Sequence, residues 1–163
     1  MNTRINGLTK VLLGASVALG SAVIAPTTAE ATLGDDATSV RANQGHLGGA
    51  LRVEKVASGE RHVLALSNGT VIRQYLSPAG VVYAVTWHGP RMPNLQEIFG
   101  GYAAQLSQRD RIRGGRHNMT LDGTNFMMRA TGHGHTFAGR AWVPSLVPAG
   151  VDLNALLSTT VTK

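Results

Sequence analysis

The sequence predicts an α+β fold: an antiparallel sheet of about five strands packed by one main amphipathic helix. Short runs rich in β-forming residues are punctuated by Asn68-Gly69, Pro78-Ala79-Gly80 and Asp122-Gly123. One long stretch, from Leu95 to Leu106, repeats its apolar residues at helical spacing. The strands fall in a block before that helix and another after it, instead of alternating with helices. That order calls for two layers and an antiparallel sheet.

The chain opens on an export address. Arg4 and Lys10 supply a positive start, residues 11–25 are uncharged and apolar, and Ala29-Glu30-Ala31 places small residues where a signal peptidase reads. Cleavage is expected after Ala31. The apolar run is too short for a membrane-spanning helix, which needs roughly twenty residues. Removing 31 residues from 163 leaves 132, the size of one domain. The mature form is expected to be periplasmic or secreted, without a transmembrane segment.

Residues 32–60 read as a loosely ordered lead-in with a candidate strand at 50–56, and residues 61–163 as the single folded domain. Strands are expected at 62–67 and 70–76, joined at Asn68-Gly69 by a turn whose central residues both take positive φ. Ser77-Pro78-Ala79-Gly80 is a turn in which proline presets φ and glycine supplies the left-handed position. A third strand follows at 81–88, with Val81, Tyr83, Val85 and Trp87 alternating onto one face. These three strands make a meander.

Leu95, Ile98, Phe99, Tyr102 and Leu106 then form the apolar face of the helix, started by Asn94 or Pro93. The pair Gly100-Gly101 weakens that helix and marks a close approach to the sheet or a break. Residues 109–117 are a basic connection. Strands at 119–121, 125–130 and 135–143 complete the sheet, with a turn at Gly132-His133-Gly134. Leu153, Leu156 and Leu157 form a last amphipathic turn capped by Asp152.

Two stretches carry a family resemblance: Ser77-Pro78-Ala79-Gly80-Val81-Val82-Tyr83-Ala84-Val85-Thr86-Trp87-His88-Gly89-Pro90, and Gly139-Arg140-Ala141-Trp142-Val143-Pro144-Ser145-Leu146-Val147-Pro148-Ala149-Gly150. With Leu33-Gly34 after the leader, they resemble the proteobacterial domain-of-unknown-function family numbered 2844. The resemblance implies a bacterial, exported, single-domain protein. It implies no reaction, ligand or catalytic residue.

Composition narrows the chemistry. There is no cysteine, which excludes disulfides, an acylated N-terminal cysteine, a thiol nucleophile and thiolate metal sites. The formal net charge of +6 falls by one once Arg4, Lys10 and Glu30 leave with the leader. Most of the remaining positive charge is arginine, which favours anionic partners such as head groups, cell-wall polymers or acidic proteins. Nucleic acid is not expected outside the cytoplasm.

Four sets of residues stand out. His133 and His135 would share a face in an extended segment and could hold Zn²⁺ or Cu²⁺, with a third ligand from His62, His88, His117 or a carboxylate. A glycine-rich polar turn is the alternative. Arg109, Arg111, Arg113 and Arg116 are the densest positive run, suited to phosphate or carboxylate unless they are simply a solvated loop. Tyr83, Trp87 and Trp142 are either an aromatic binding face or core. The carboxylates are scattered, and no nucleophile elbow, zinc-protease helix or phosphate loop is present, so no catalytic residue and no cofactor is expected. The first reading is therefore a non-catalytic envelope protein that binds another exported protein or an anionic surface. The alternatives are a periplasmic ligand- or metal-binding module centred on His133 and His135, and an enzyme of unrecognised type.

Overall fold

The structure, a computed structural model, describes residues 33–37, 47–107, 112–113 and 118–158. Strands β1 (Gly49–Val56), β2 (Gly59–Leu66), β3 (Val71–Leu76) and β4 (Val82–Gly89) form one antiparallel meander. Strands β5 (Ile112–Arg113), β6 (Asn118–Asp122), β7 (Met127–His133) and β8 (Thr136–Trp142) form a second. The last strand of each meander pairs with the other. One eight-stranded sheet results, in the order β1-β2-β3-β4-β8-β7-β6-β5.

The fold class is α+β, as the sequence predicts, but the strand count exceeds the expected five. The candidate strand of the lead-in is β1, paired with β2 along its whole length, and the region after the helix adds the short β5 to the three strands read there from sequence. β5 has only two residues; the other seven strands have five to eight.

Helix α1 (Leu95–Phe99) starts at Asn94, whose side chain accepts from the Gln96 N–H, and stops at Gly100, where φ is +47°. The chain continues as a 3₁₀ helix over Gly100–Ser107. The glycine pair is therefore the break, and the apolar face survives it: Ile98, Phe99 and Ala103 are buried, with Leu95, Tyr102 and Leu106 packed beside them. The segment 33–37 ties this crossover to the sheet. The Leu33 N–H donates to the Ile98 carbonyl, the Gly34 N–H to the Val82 carbonyl, and the Val82 N–H to the Asp35 carbonyl.

The β2–β3 and β3–β4 turns of the first meander use the same device. The Gly69 N–H donates to the Leu66 carbonyl and the Gly80 N–H to the Ser77 carbonyl, and each glycine takes positive φ. Among the described residues no non-glycine has positive φ. Asn68 therefore acts through its side chain, which accepts from the Thr70 N–H, and the expected two-residue positive-φ turn is instead a turn followed by a glycine bulge.

The expected facing of the third strand is corrected by a bulge in β4. Tyr75 pairs with Ala84 and Leu76 with Val82, so Tyr83 is skipped. An extra residue breaks the two-residue alternation. Val85 and Trp87 enter the main core with Ile98, Phe99, Phe126 and Met128, whereas Tyr83 packs on the opposite face with Tyr75, Ala84 and Leu157. That second cluster is closed by helix α2 (Leu153–Ser158), whose start is capped by Asp152 accepting from the Asn154 and Ala155 N–H groups.

Directly opposite residues on neighbouring strands share a face. The sheet thus has an inner face under α1, carrying Leu64, Ile72, Val85, Trp87, Ala141, Met128 and Leu121, and an outer face half open to solvent. Trp87 lies on Gly139: a Cβ built there would meet its ring at 2.1 Å. The ring is fully buried against Phe99 and cannot move aside. Gly139→Ala is accordingly expected to destabilise the fold by about 1–3 kcal/mol, the range for overpacking a core. Gly101→Ala, which meets nothing within 4 Å, should be neutral or slightly stabilising. Urea midpoints of the two variants check this, and equal midpoints would contradict the packing at Gly139.

Candidate functional site

The outer face between β6, β7, β8 and α2 holds an open groove of about 630 Å³. Its floor includes Asn118, Thr120, Arg129, Thr131, Ala138 and Arg140, and Leu157 of α2 stands at its edge. The two-residue loop Gly134-His135, with Gly134 at φ +58°, pairs His133 with Thr136 and so sets Arg129 directly opposite Arg140. Like charges placed opposite one another in an antiparallel pair repel. Asp122 offers Arg129 only a half-exposed contact at 3.6 Å, and exposed pairs of that kind contribute little. Arg140, half-buried, has no ion-pair partner among the described residues. Among the described residues, the groove floor therefore carries positive charge that Asp122 offsets only in part.

The opposite end of the same face is neutralised. Arg61 donates to the Glu54 carboxylate through Nε at 2.7 Å and also through Nη2, and Arg52 pairs with the same group. Hydrogen bonding from Arg61 is the leading cause that holds the Glu54 carboxyl below its ordinary value. The Arg61, Arg52 and Arg73 charges add to it, and burial works against them.

A second concavity, of about 580 Å³, lies between the β1–β2 turn and the C-terminal segment. Its one charged side chain is Asp152, already engaged as the α2 cap.

The residues singled out from sequence are dispersed. Arg109, Arg111 and Arg116 lie outside the described residues, and so does His117. Arg113 lies in β5 as the backbone partner of Thr120. His133 ends β7 and His135 is in the turn, both exposed, with Gly134 breaking the extended geometry that would set them on one face. His88 stands exposed on β4. His62 is buried on β2 with Nε2 3.1 Å from Glu60 and with Nδ1 lacking a partner among the described residues. Among the described residues no three His, Asp or Glu side chains come together in a way that could hold a metal ion. Tyr83 and Trp87 are fully buried on opposite faces, so they are core. The Tyr83 hydroxyl donates to Ser58, and burial raises its pKa. Trp142 is half-buried against Tyr75 and Tyr83.

Arg129 and Arg140 were missed by sequence reasoning. The signal was the turn position: a loop at Gly134-His135, one residue beyond the expected turn, makes these two arginines partners.

The molecule is thus a small α+β domain with one open, basic sheet face. The chain belongs to the family described as protein of unknown function (DUF2844), whose match covers residues 29–156. No curated protein and no solved structure matches the chain. The stretches that carry the family resemblance meet in space. The first is the turn into β4 with β4 itself, the second contains the end of β8, and Leu33-Gly34 bonds to Val82 and α1.

Two outcomes follow from the electrostatics. Arg140→Glu converts the repulsive cross-strand pair into an attractive one, so thermal stability should rise by up to about 1 kcal/mol; a fall would show that Arg140 already has a favourable partner. Glu54 binds its proton less tightly when folded, so its contribution is present above the ordinary value of 4.5 and is lost as pH falls through the lower folded value. The Tm gap between wild type and Glu54→Gln should be open at neutral pH and close in acid, and a gap independent of pH would contradict the pairing.

Proposed function

We propose that this protein is an exported, non-catalytic component of the cell envelope that binds an anionic partner through its outer sheet face. The observation that carries the reading is the Arg129–Arg140 pair on the groove floor. Two guanidinium groups held side by side lower the stability of the free protein and become favourable when an anion lies between them. Guanidinium forks match carboxylate and phosphate oxygens bidentately, and a half-buried arginine makes stronger charge-assisted bonds than a fully solvated one. The basic balance of the chain supports the same reading, as does the leader-like start for export. No helix among the described residues is long and apolar enough to cross a membrane.

Citrate is a suitable small probe, titrated into ¹⁵N-labelled protein. Saturable shifts should be confined to amides of β6, β7 and β8, with the midpoint rising as salt is added. Arg140→Gln should weaken binding about tenfold or more, the loss expected when a charged hydrogen-bonding group is removed. Shifts spread over the whole surface, or binding untouched by the substitution, would contradict this function.

A further inference from the structure

Resting on the anion-binding reading above, we infer that the natural occupant of the outer face is a linear acidic polysaccharide. It would be a chain of sugar rings with regularly spaced carboxylates, running across the strands. The registers place Arg73, Arg140 and Arg129 in one row, with the buried Thr86 between the first two; Arg52, at the β1 end of the same row, is paired with Glu54. From Arg73 on β3 to Arg129 on β7 the row crosses three interstrand gaps, about 14 Å at ordinary strand spacing. Thr120 on β6 continues it. Arg73 and Arg140 are half-buried, and neither has an ion-pair partner among the described residues. The positive charge is therefore a line, with neighbouring arginines one or two strands apart.

A line of this form selects a thin chain. Neighbouring strands rotate by about 20–25°, so three gaps turn the surface by roughly 60–75°. A bilayer cannot follow such a surface, and Leu157 of α2 also stands beside the groove. An acidic peptide would dock most favourably by adding main-chain hydrogen bonds at a sheet edge. Arg73, Arg140 and Arg129 lie on interior strands whose backbone is paired on both sides. Recognition here must come from side chains. The arginine forks take carboxylates, while Asn118, Thr120 and Thr131 beside them offer amide and hydroxyl groups to sugar hydroxyls.

The test is calorimetric titration with oligogalacturonates of increasing length at fixed salt. Neutral malto-oligosaccharides, poly-glutamate of matched charge and phosphatidylglycerol vesicles serve as comparisons. Affinity should climb at least tenfold from the dimer and level off once the oligomer spans the row. Arg73→Gln should flatten that climb and Arg73→Lys restore part of it, with unchanged Tm showing that both variants are folded. Citrate binding with no dependence on oligogalacturonate length would overturn the polysaccharide and leave the anion site standing. Absence of both would overturn the two together. Equal or tighter binding of poly-glutamate or vesicles would replace the sugar with an acidic protein or a lipid surface.

Discussion

Trp87 occupies the space that Gly139 leaves empty, and the rest of the fold is arranged around that contact. The ring sits on the inner face at the seam where the two meanders join, 5.8 Å from Phe99. Phe99 in turn packs on Phe126 at 5.1 Å and Phe126 on Tyr102 at 5.6 Å, so one aromatic chain links the seam to the crossover helix and to the second meander. The Trp87 Nε1 is buried without a partner among the described residues, at a cost of about 1–3 kcal/mol. Burying an indole removes some 150–250 Å² from water, about 4–6 kcal/mol at 25 cal/mol per Å². Burial wins, and the seam holds despite the orphaned donor. It does so without help from a disulfide, since the chain has no cysteine.

Joining the meanders at their last strands gives the two faces different work. The inner face takes α1 and the aromatic chain. The outer face is covered only near Tyr75, Tyr83 and Trp142, where the bulge at Tyr83 redirects a large ring to pack under α2. The remainder is partly exposed, with Thr86 buried where the seam brings Arg140 of the second meander into line with Arg73 of the first. An arrangement chosen for stability alone would place a carboxylate opposite Arg129. The fold places a second arginine there.

Features set by neighbouring residues were legible in the sequence. The Pro78–Gly80 turn, the apolar face from Leu95 to Leu106, the break at Gly100 and the Asp152 cap all depend on short spans with a single good solution. The bulge at Tyr83 was not legible, because strict alternation along β4 is an equally good reading until its partner strands are known. The candidate site was less legible still. The arginines at 109–116 attract attention because they are adjacent in sequence, whereas Arg73 and Arg140 become neighbours in a row only through the pairing of β3, β4 and β8. Such long-range register depends on core packing that no local pattern encodes.

Native-state hydrogen exchange tests the central claim, that β4 and β8 form the seam that unites the sheet. Amides of β4 and β8 that bond across it should be the slowest in the protein and should exchange together, at the free energy of global unfolding. If β8 exchanged early with β6 and β7, as a unit separate from β4, the two meanders would be independent and the continuous arginine row would have no structural basis.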